Sequence, residues 1–240
     1  MMKIIEKFVA KANDNAGNRT PVIAFLGDSV TQGYFEIIPA SGGGFVNVPD
    51  GENVYHACLS RMLSLLYPTV PVNMINAGVA GMDATHGLSR IERDVLSYNP
   101  DLTVVCFGLN DCGNGDEGIE KYVASLEGIF RKLREAGSEI IFMTPNMMAT
   151  KISPTLHESF IELAGKISER QISGIFDRYI DAARELCKEE NIPVCDCYAK
   201  WKKLKESGVD ITELLANKIN HPVREMHNMF ATALLETMME

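Results

Sequence analysis

Five short apolar runs, "VIAFL" (22–26), "VNMIN" (72–76), "LTVVCFG" (102–108), "EIIFMT" (139–144) and "IPVCDCY" (192–198), recur at intervals that leave room for a helix between them. The intervening stretches carry helical periodicity, most clearly over 53–66, 118–137 and 167–191, and a last helix is expected over 221–238 with Pro222 in its first turn. Strand and helix in alternation is the pattern of a parallel sheet covered on both faces, because each parallel crossover must carry an element back across the sheet. A chain of 240 residues with 46% hydrophobic content can bury one such core. The expectation is a three-layer α/β/α sandwich with a central parallel sheet of about five strands, formed by a single domain over 1–240.

The charge balance narrows the partners. A formal net charge of -9 disfavours nucleic acid and anionic membrane surfaces, both of which call for clustered Lys and Arg. The first twenty residues place charge in every short apolar stretch, so no signal-peptide core is recognised, and a cytoplasmic location is expected. The six cysteines (58, 106, 112, 187, 195 and 197) lack metal-site spacing and read as reduced, buried thiols, with Cys195 and Cys197 on one face of the last strand.

Two segments stand outside the alternation. Residues 33–52 and 144–160 are irregular, rich in Gly or Pro, and each lies at a predicted strand end, where loops carry function. The "GGG" at 42–44 is not followed by the Lys and Ser or Thr of a phosphate loop, which counts against a nucleotide binder.

Chemistry gathers at the strand ends. After the first run comes "GDSVTQG" (27–33) with Ser29; after the second, "NAGVAG" (76–81), where Gly78 lets a backbone N–H approach a ligand; after the third, "GLND" (108–111) with the Asn110 amide. Ahead of the last helix stands "NHP" (220–222), with His221 able to serve as a base near neutral pH. Each alone has a plain structural reading as a cap, a loop glycine or a turn residue. Together they supply a nucleophile, a base and oxyanion donors, which are the requirements of acyl transfer.

In these four blocks, in this order from about Pro21 to the last helix, the chain resembles the SGNH hydrolases, a branch of the GDSL esterases and lipases. The resemblance implies a flavodoxin-like strand order, Ser29 as nucleophile, Ser29 N–H, Gly78 N–H and Asn110 as oxyanion donors, and His221 as general base, with no cofactor and no metal. It departs at one position: where the family usually has an Asp three residues before the histidine, this chain has Lys218, flanked by Asn217 and Asn220. Asn217, Asn220 or a backbone carbonyl near Asn217 are then the candidates to orient the imidazole, whose pKa is expected near the ordinary value of about 6.5 unless burial moves it.

The other histidines divide between structural positions (His56, His86), a place along the pocket (His157) and one off the reacting centre (His227). Asp28 is expected to brace the nucleophile turn, and Asp83, Asp111 and Asp196 to cap or form turns. The expected function is a serine esterase acting on short-acyl or acetyl esters of small molecules or sugars. The alternative is a non-catalytic carbohydrate- or anion-binding protein on the same fold.

Overall fold

The computed structural model describes residues 1–240. Strand β1 (Val22–Gly27) is buried along its whole length, as a β-branched run in the middle of a two-sided sheet must be. It pairs in parallel with β4 (Asn73–Gly78) on one side and β5 (Leu102–Cys106) on the other. β6 (Glu139–Met143) and the two-residue β7 (Val194–Cys195) extend the sheet to the order β4-β1-β5-β6-β7. This is the flavodoxin-like order, with the switch in chain direction beside β1.

Register does the rest. Gly27 lies level with Gly78 on one neighbour and Cys106 on the other, so the segments following β1, β4 and β5 leave the sheet side by side. In an open parallel sheet this crevice at the strands' carboxyl ends is where ligands sit.

Helices cover both faces. On one, α3 (Tyr55–Leu66) and α9 (Arg224–Met239) pack together with α1 (Lys3–Asn13) and α8 (Cys197–Glu206). On the other, α4 (Ala84–Asp94), α5 (Ile119–Glu135), α7 (Ile175–Glu189) and α6 (Ile161–Ile172) follow one another. α5 buries Tyr122, Leu126, Ile129, Phe130 and Leu133, the three- and four-residue spacing that turns one helical face to the core.

Several expectations shift. Residues 33–52 are not irregular: β2 (Tyr34–Pro39) and β3 (Phe45–Pro49) form an antiparallel hairpin over the carboxyl edge, with the glycines at its tip. The alternating "YFEII" and "FVNV" carry this signal, and the flanking Pro and Gly obscure it. The helix expected over 167–191 is two helices, broken at Gly174, whose φ of 77° no helical interior accommodates. The last helix begins at Arg224; Pro222 precedes it and bridges to Leu215. Cys197 opens α8 and is not a strand residue, although its sulfur lies 3.7 Å from that of Cys195. No helix is long and apolar enough to cross a membrane.

Candidate active site

Ser29 is the first residue of α2 (Ser29–Gln32), a single turn that starts as soon as β1 ends. Asp28 caps it, its carboxylate accepting the Val30 N–H at 2.9 Å. Burial pushes the Asp28 carboxyl up to about 7, with Asp111 adding like-charge repulsion. Gly27 is fixed from the other side, where the buried Arg90 guanidinium donates to the carbonyls of Gly27 (2.9 Å) and Ala77 (2.6 Å) and so ties together the ends of β1 and β4.

His221 reaches this turn from the other end of the chain. Its Nε2 stands 2.9 Å from Ser29 Oγ, and its Nδ1 stands 3.1 Å from the carbonyl oxygen of Phe35 on β2. A carbonyl only accepts, so Nδ1 carries the proton and Nε2 is left to accept from the serine hydroxyl. The ring is 5% exposed, and burial lowers its pKa to about 4, against smaller upward pulls from the Phe35 carbonyl and the Glu36 carboxylate. The imidazole therefore stays neutral to well below the ordinary histidine value, with Nε2 left to accept a proton.

The partner of Nδ1 is neither Asn217 nor Asn220. Asn217 Oδ1 accepts the backbone N–H groups of Ile219, Asn220 and His221, and its amide donates to Asn220 Oδ1 at 3.0 Å. These asparagines shape the loop that presents the histidine and leave its ring alone. Lys218, in a left-handed conformation, turns its ammonium to Glu213. From the β6 side, Asn146 holds the loop by donating to the Asn220 carbonyl.

A cavity of 170 Å³ opens on the pair, lined by Ser29, Ala80, Gly81, Asn110 and His221 together with Ile37, Phe45, Asn47, Leu163, Ile167, Asn217, Ile219 and Asn220. No charged side chain lines it. Asn110 spends one N–H on the Met82 carbonyl at 2.9 Å and keeps the second. Gly78 stands back from the cavity: its N–H donates to Asn76 Oδ1 at 2.9 Å, and a Cβ there would strike the Gln32 nitrogen at 2.2 Å. Its lack of a side chain lets β4 pack against the turn that carries Ser29. Gly81, three residues later in the same block, lines the cavity with an N–H that has no partner in the protein.

The remaining candidates are structural. His157 is exposed, caps the turn at 158–160 and does not line the cavity. His227 is buried, accepting the Tyr55 N–H, and His56 contacts the Thr31 carbonyl. Asp83 and Asp196 cap α4 and α8, and Asp111 accepts the N–H groups of Ala84 and Gly108. Cys112, beside Asn110, is buried with its thiol pushed up to about 12, which leaves it inert. A larger cavity of 510 Å³ lies at the opposite, amino-terminal edge of the sheet, around Arg134, Glu139 and Pro193, with no such pair. No group of three or more His, Cys, Asp or Glu side chains is placed to hold a metal ion.

Phe35, Gly81, Arg90 and Arg224 were not among the expected site residues. Only Gly81 had a sequence signal, as the last residue of "NAGVAG".

A profile of the GDSL-like lipase/acylhydrolase family matches residues 25–229, a span that includes all four blocks. The chain belongs to this family. An acetylxylan esterase of Geobacillus stearothermophilus is 26% identical over 132 residues, covering 51% of this chain and 58% of that protein. The chain thus matches little more than half the length of that relative. Among solved structures, an acetylxylan esterase of Geobacillus stearothermophilus aligns with a TM-score of 0.67 at 21% identity, over 91% of this chain and 94% of that one. A two-domain esterase active on acetylated mannans aligns with a TM-score of 0.66 at 19% identity, over 98% of this chain and 52% of that one. At these identities the structural likenesses establish the α/β/α fold alone.

Proposed function

We propose that the protein is a serine esterase in which Ser29 attacks the ester carbonyl and His221 takes its proton. The observation that carries this reading is the 2.9 Å contact of Ser29 Oγ with a histidine nitrogen whose tautomer is set by the Phe35 carbonyl, at the mouth of a cavity. Proton transfer needs that geometry and an unprotonated base, and burial supplies the second. The imidazolium formed on attack is poorly solvated, and the negative charge that develops at the same moment on the substrate oxygen offsets it.

The donors for that oxygen are the Ser29 N–H, at a helix start where no intrahelical partner exists, the Gly81 N–H and the free N–H of Asn110. Gly81 takes the place expected for Gly78, because the Gly78 N–H is already spent on Asn76. Collapse of the tetrahedral intermediate expels the alcohol, protonated by His221, and leaves an acyl-serine. Water then attacks with His221 again as base and releases the acid.

The substrate class follows from the walls. With no charged lining, the cavity favours neutral esters, and at 170 Å³ it falls below the roughly 300–1,000 Å³ of sites for drug-sized ligands. Short acyl groups fit. The amides of Asn47 and Asn220 beside the apolar faces of Phe45 and Ile219 suit a hydroxyl-bearing alcohol such as a sugar, in keeping with relatives named for acetylated xylan and mannan. A panel of p-nitrophenyl esters run beside acetylated xylooligosaccharides tests this: kcat/KM is expected to be highest for acetyl and to fall with chain length. Octanoate as the best acyl group would overturn the short-acyl assignment, and no turnover of any ester would favour a binding protein.

A further inference from the structure

The serine–histidine reading leaves open what holds the Phe35 carbonyl at His221 in a chain without the usual aspartate. β2 and β3 lose register between Tyr34 and Ile37: Tyr34 pairs with Pro49, but Ile37 pairs with Asn47. Phe35 and Glu36 fall in this bulge, outside the regular ladder, so the Phe35 carbonyl is free to face the histidine. A bulged carbonyl is also free to wander. Its hydrogen bond weakens steeply with misalignment, and it carries only a partial charge, so its value to the imidazole depends on being fixed.

The fixing elements lie on the first turn of α9, directly after His221. The Phe35 ring is fully buried and packs against two α9 side chains, with the Arg224 guanidinium carbon 4.4 Å from its centroid and the His227 ring 4.8 Å away. Arg224 then grips the next residue as a fork, donating from Nη1 and Nη2 to the two Glu36 carboxylate oxygens at 2.6 and 3.2 Å. Its third nitrogen, Nε, donates to Asp50 at 2.6 Å. The Asp50 backbone N–H in turn donates to the Gly33 carbonyl at 2.8 Å, closing the base of the hairpin. One planar side chain therefore ties both arms of the hairpin and the ring of Phe35 to the helix that follows the histidine, a geometry a lysine cannot reproduce.

We propose that Arg224 is a positioning residue for His221: by clamping Glu36, Asp50 and Phe35 it holds the Phe35 carbonyl against Nδ1, in the role a carboxylate plays in most of the family. The inference rests on Ser29 and His221 being the working pair. It also makes one hairpin serve two purposes, since Ile37, Phe45 and Asn47 of the same two strands wall the cavity.

The test uses p-nitrophenyl acetate with Arg224→Met, Glu36→Gln and the double variant, together with the NMR signal of the His221 Nδ1 proton in ¹⁵N-histidine-labelled protein. Misplacement of a catalytic group by about 1 Å can cost a hundredfold, so Arg224→Met is expected to lower kcat about ten- to a hundredfold, with KM changed far less. Its Nδ1 proton should be lost to exchange while the His227 signal persists. Glu36→Gln, which keeps a neutral acceptor for the fork, should give a smaller loss of kcat and a weakened Nδ1 signal even if Arg224→Met fails to fold. The double variant should fall no further than Arg224→Met alone, because both act through one carbonyl. Wild-type kcat with an intact Nδ1 proton in the folded single variants overturns the inference, as does a change confined to KM. Ser29→Ala separates the two readings: retained turnover there removes the serine–histidine pair itself, whereas an inactive Ser29→Ala beside a fully active Arg224→Met removes only the role of Arg224.

Discussion

Ser29 and His221 touch, yet the supports behind them are of different kinds. Ser29 rests on the end of a fully buried central strand, with its cap one residue away and its neighbouring donors on segments that emerge level with it because the sheet register requires it. His221 rests on a loop folded around Asn217, and the partner of its ring is a backbone carbonyl 186 residues distant, on a hairpin outside the main sheet. The first half is specified by local sequence and parallel pairing. The second depends on long-range contacts between a hairpin and a helix start, held in part by ion pairs whose side chains are 20–39% exposed. Substitutions on the nucleophile side should accordingly abolish chemistry or change the cost of burying charge, whereas those on the histidine side should give graded losses.

The largest effect is expected at Ser29. Ser29→Ala should lower kcat by about four to six orders of magnitude while the far-ultraviolet circular dichroism stays native, since only binding and oxyanion effects remain without the attacking oxygen. Substantial turnover would place the nucleophile elsewhere. Next comes the Asn110 amide: if it donates to the oxyanion, Asn110→Ala should cost about two to three orders of magnitude in kcat with little change in KM, because its free N–H then matters mainly once negative charge has developed. A change in KM alone would make Asn110 a substrate-binding group.

On the histidine side, Asn217→Ala removes the acceptor of three backbone N–H groups in a buried loop. A loss of about 1–3 kcal/mol in urea unfolding is expected, with a smaller fall in kcat than for Asn110→Ala. A fall as deep as that of Ser29→Ala would mean that Asn217 acts on the imidazole directly, against its hydrogen bonds here.

The five parallel strands are legible in the apolar runs and their order in the family resemblance, and motifs at strand ends and a helix start point to Ser29, Asn110 and His221, which the fold brings to one cavity. Gly78 was the wrong glycine of "NAGVAG" for the pocket: both glycines end a strand or turn equally well on paper, and only the Asn76 side chain shows which N–H is spent. The hairpin reads as loop in the sequence because Pro39, Pro49 and three glycines outweigh the alternation of its short strands. Phe35 could not be read at all, since its contribution is a carbonyl that every residue possesses. The histidine pKa, expected near the ordinary value, is moved by a burial that no local sequence feature records.

A smaller effect, on stability alone, is expected at Asp28, which caps the turn that carries Ser29. Burial raises the Asp28 pKa from 3.8 to about 7, so the native state holds its proton more tightly than the unfolded chain does. Its contribution to stability is therefore full below the unfolded value and is lost as pH rises through about 7. Asp28→Asn keeps the acceptor for Val30 and removes the charge. Urea titrations should show the variant gaining on the wild type between pH 4 and 8, by up to about 4 kcal/mol. A gap that shrinks or stays constant with rising pH would mean that Asp28 is ionised in the native protein throughout.

The most direct test is the rate at which an organophosphonate labels the protein as a function of pH, with the adduct mapped by peptide mass spectrometry. If Ser29 is activated by a buried His221 held by a carbonyl, one adduct forms, on Ser29. Its rate then rises through a single ionisation below pH 6.5, displaced toward about 4, and is flat through neutrality. An adduct on another serine, or a rate on Ser29 still rising through pH 7, would contradict the assignment of the pair or the burial that keeps its base neutral.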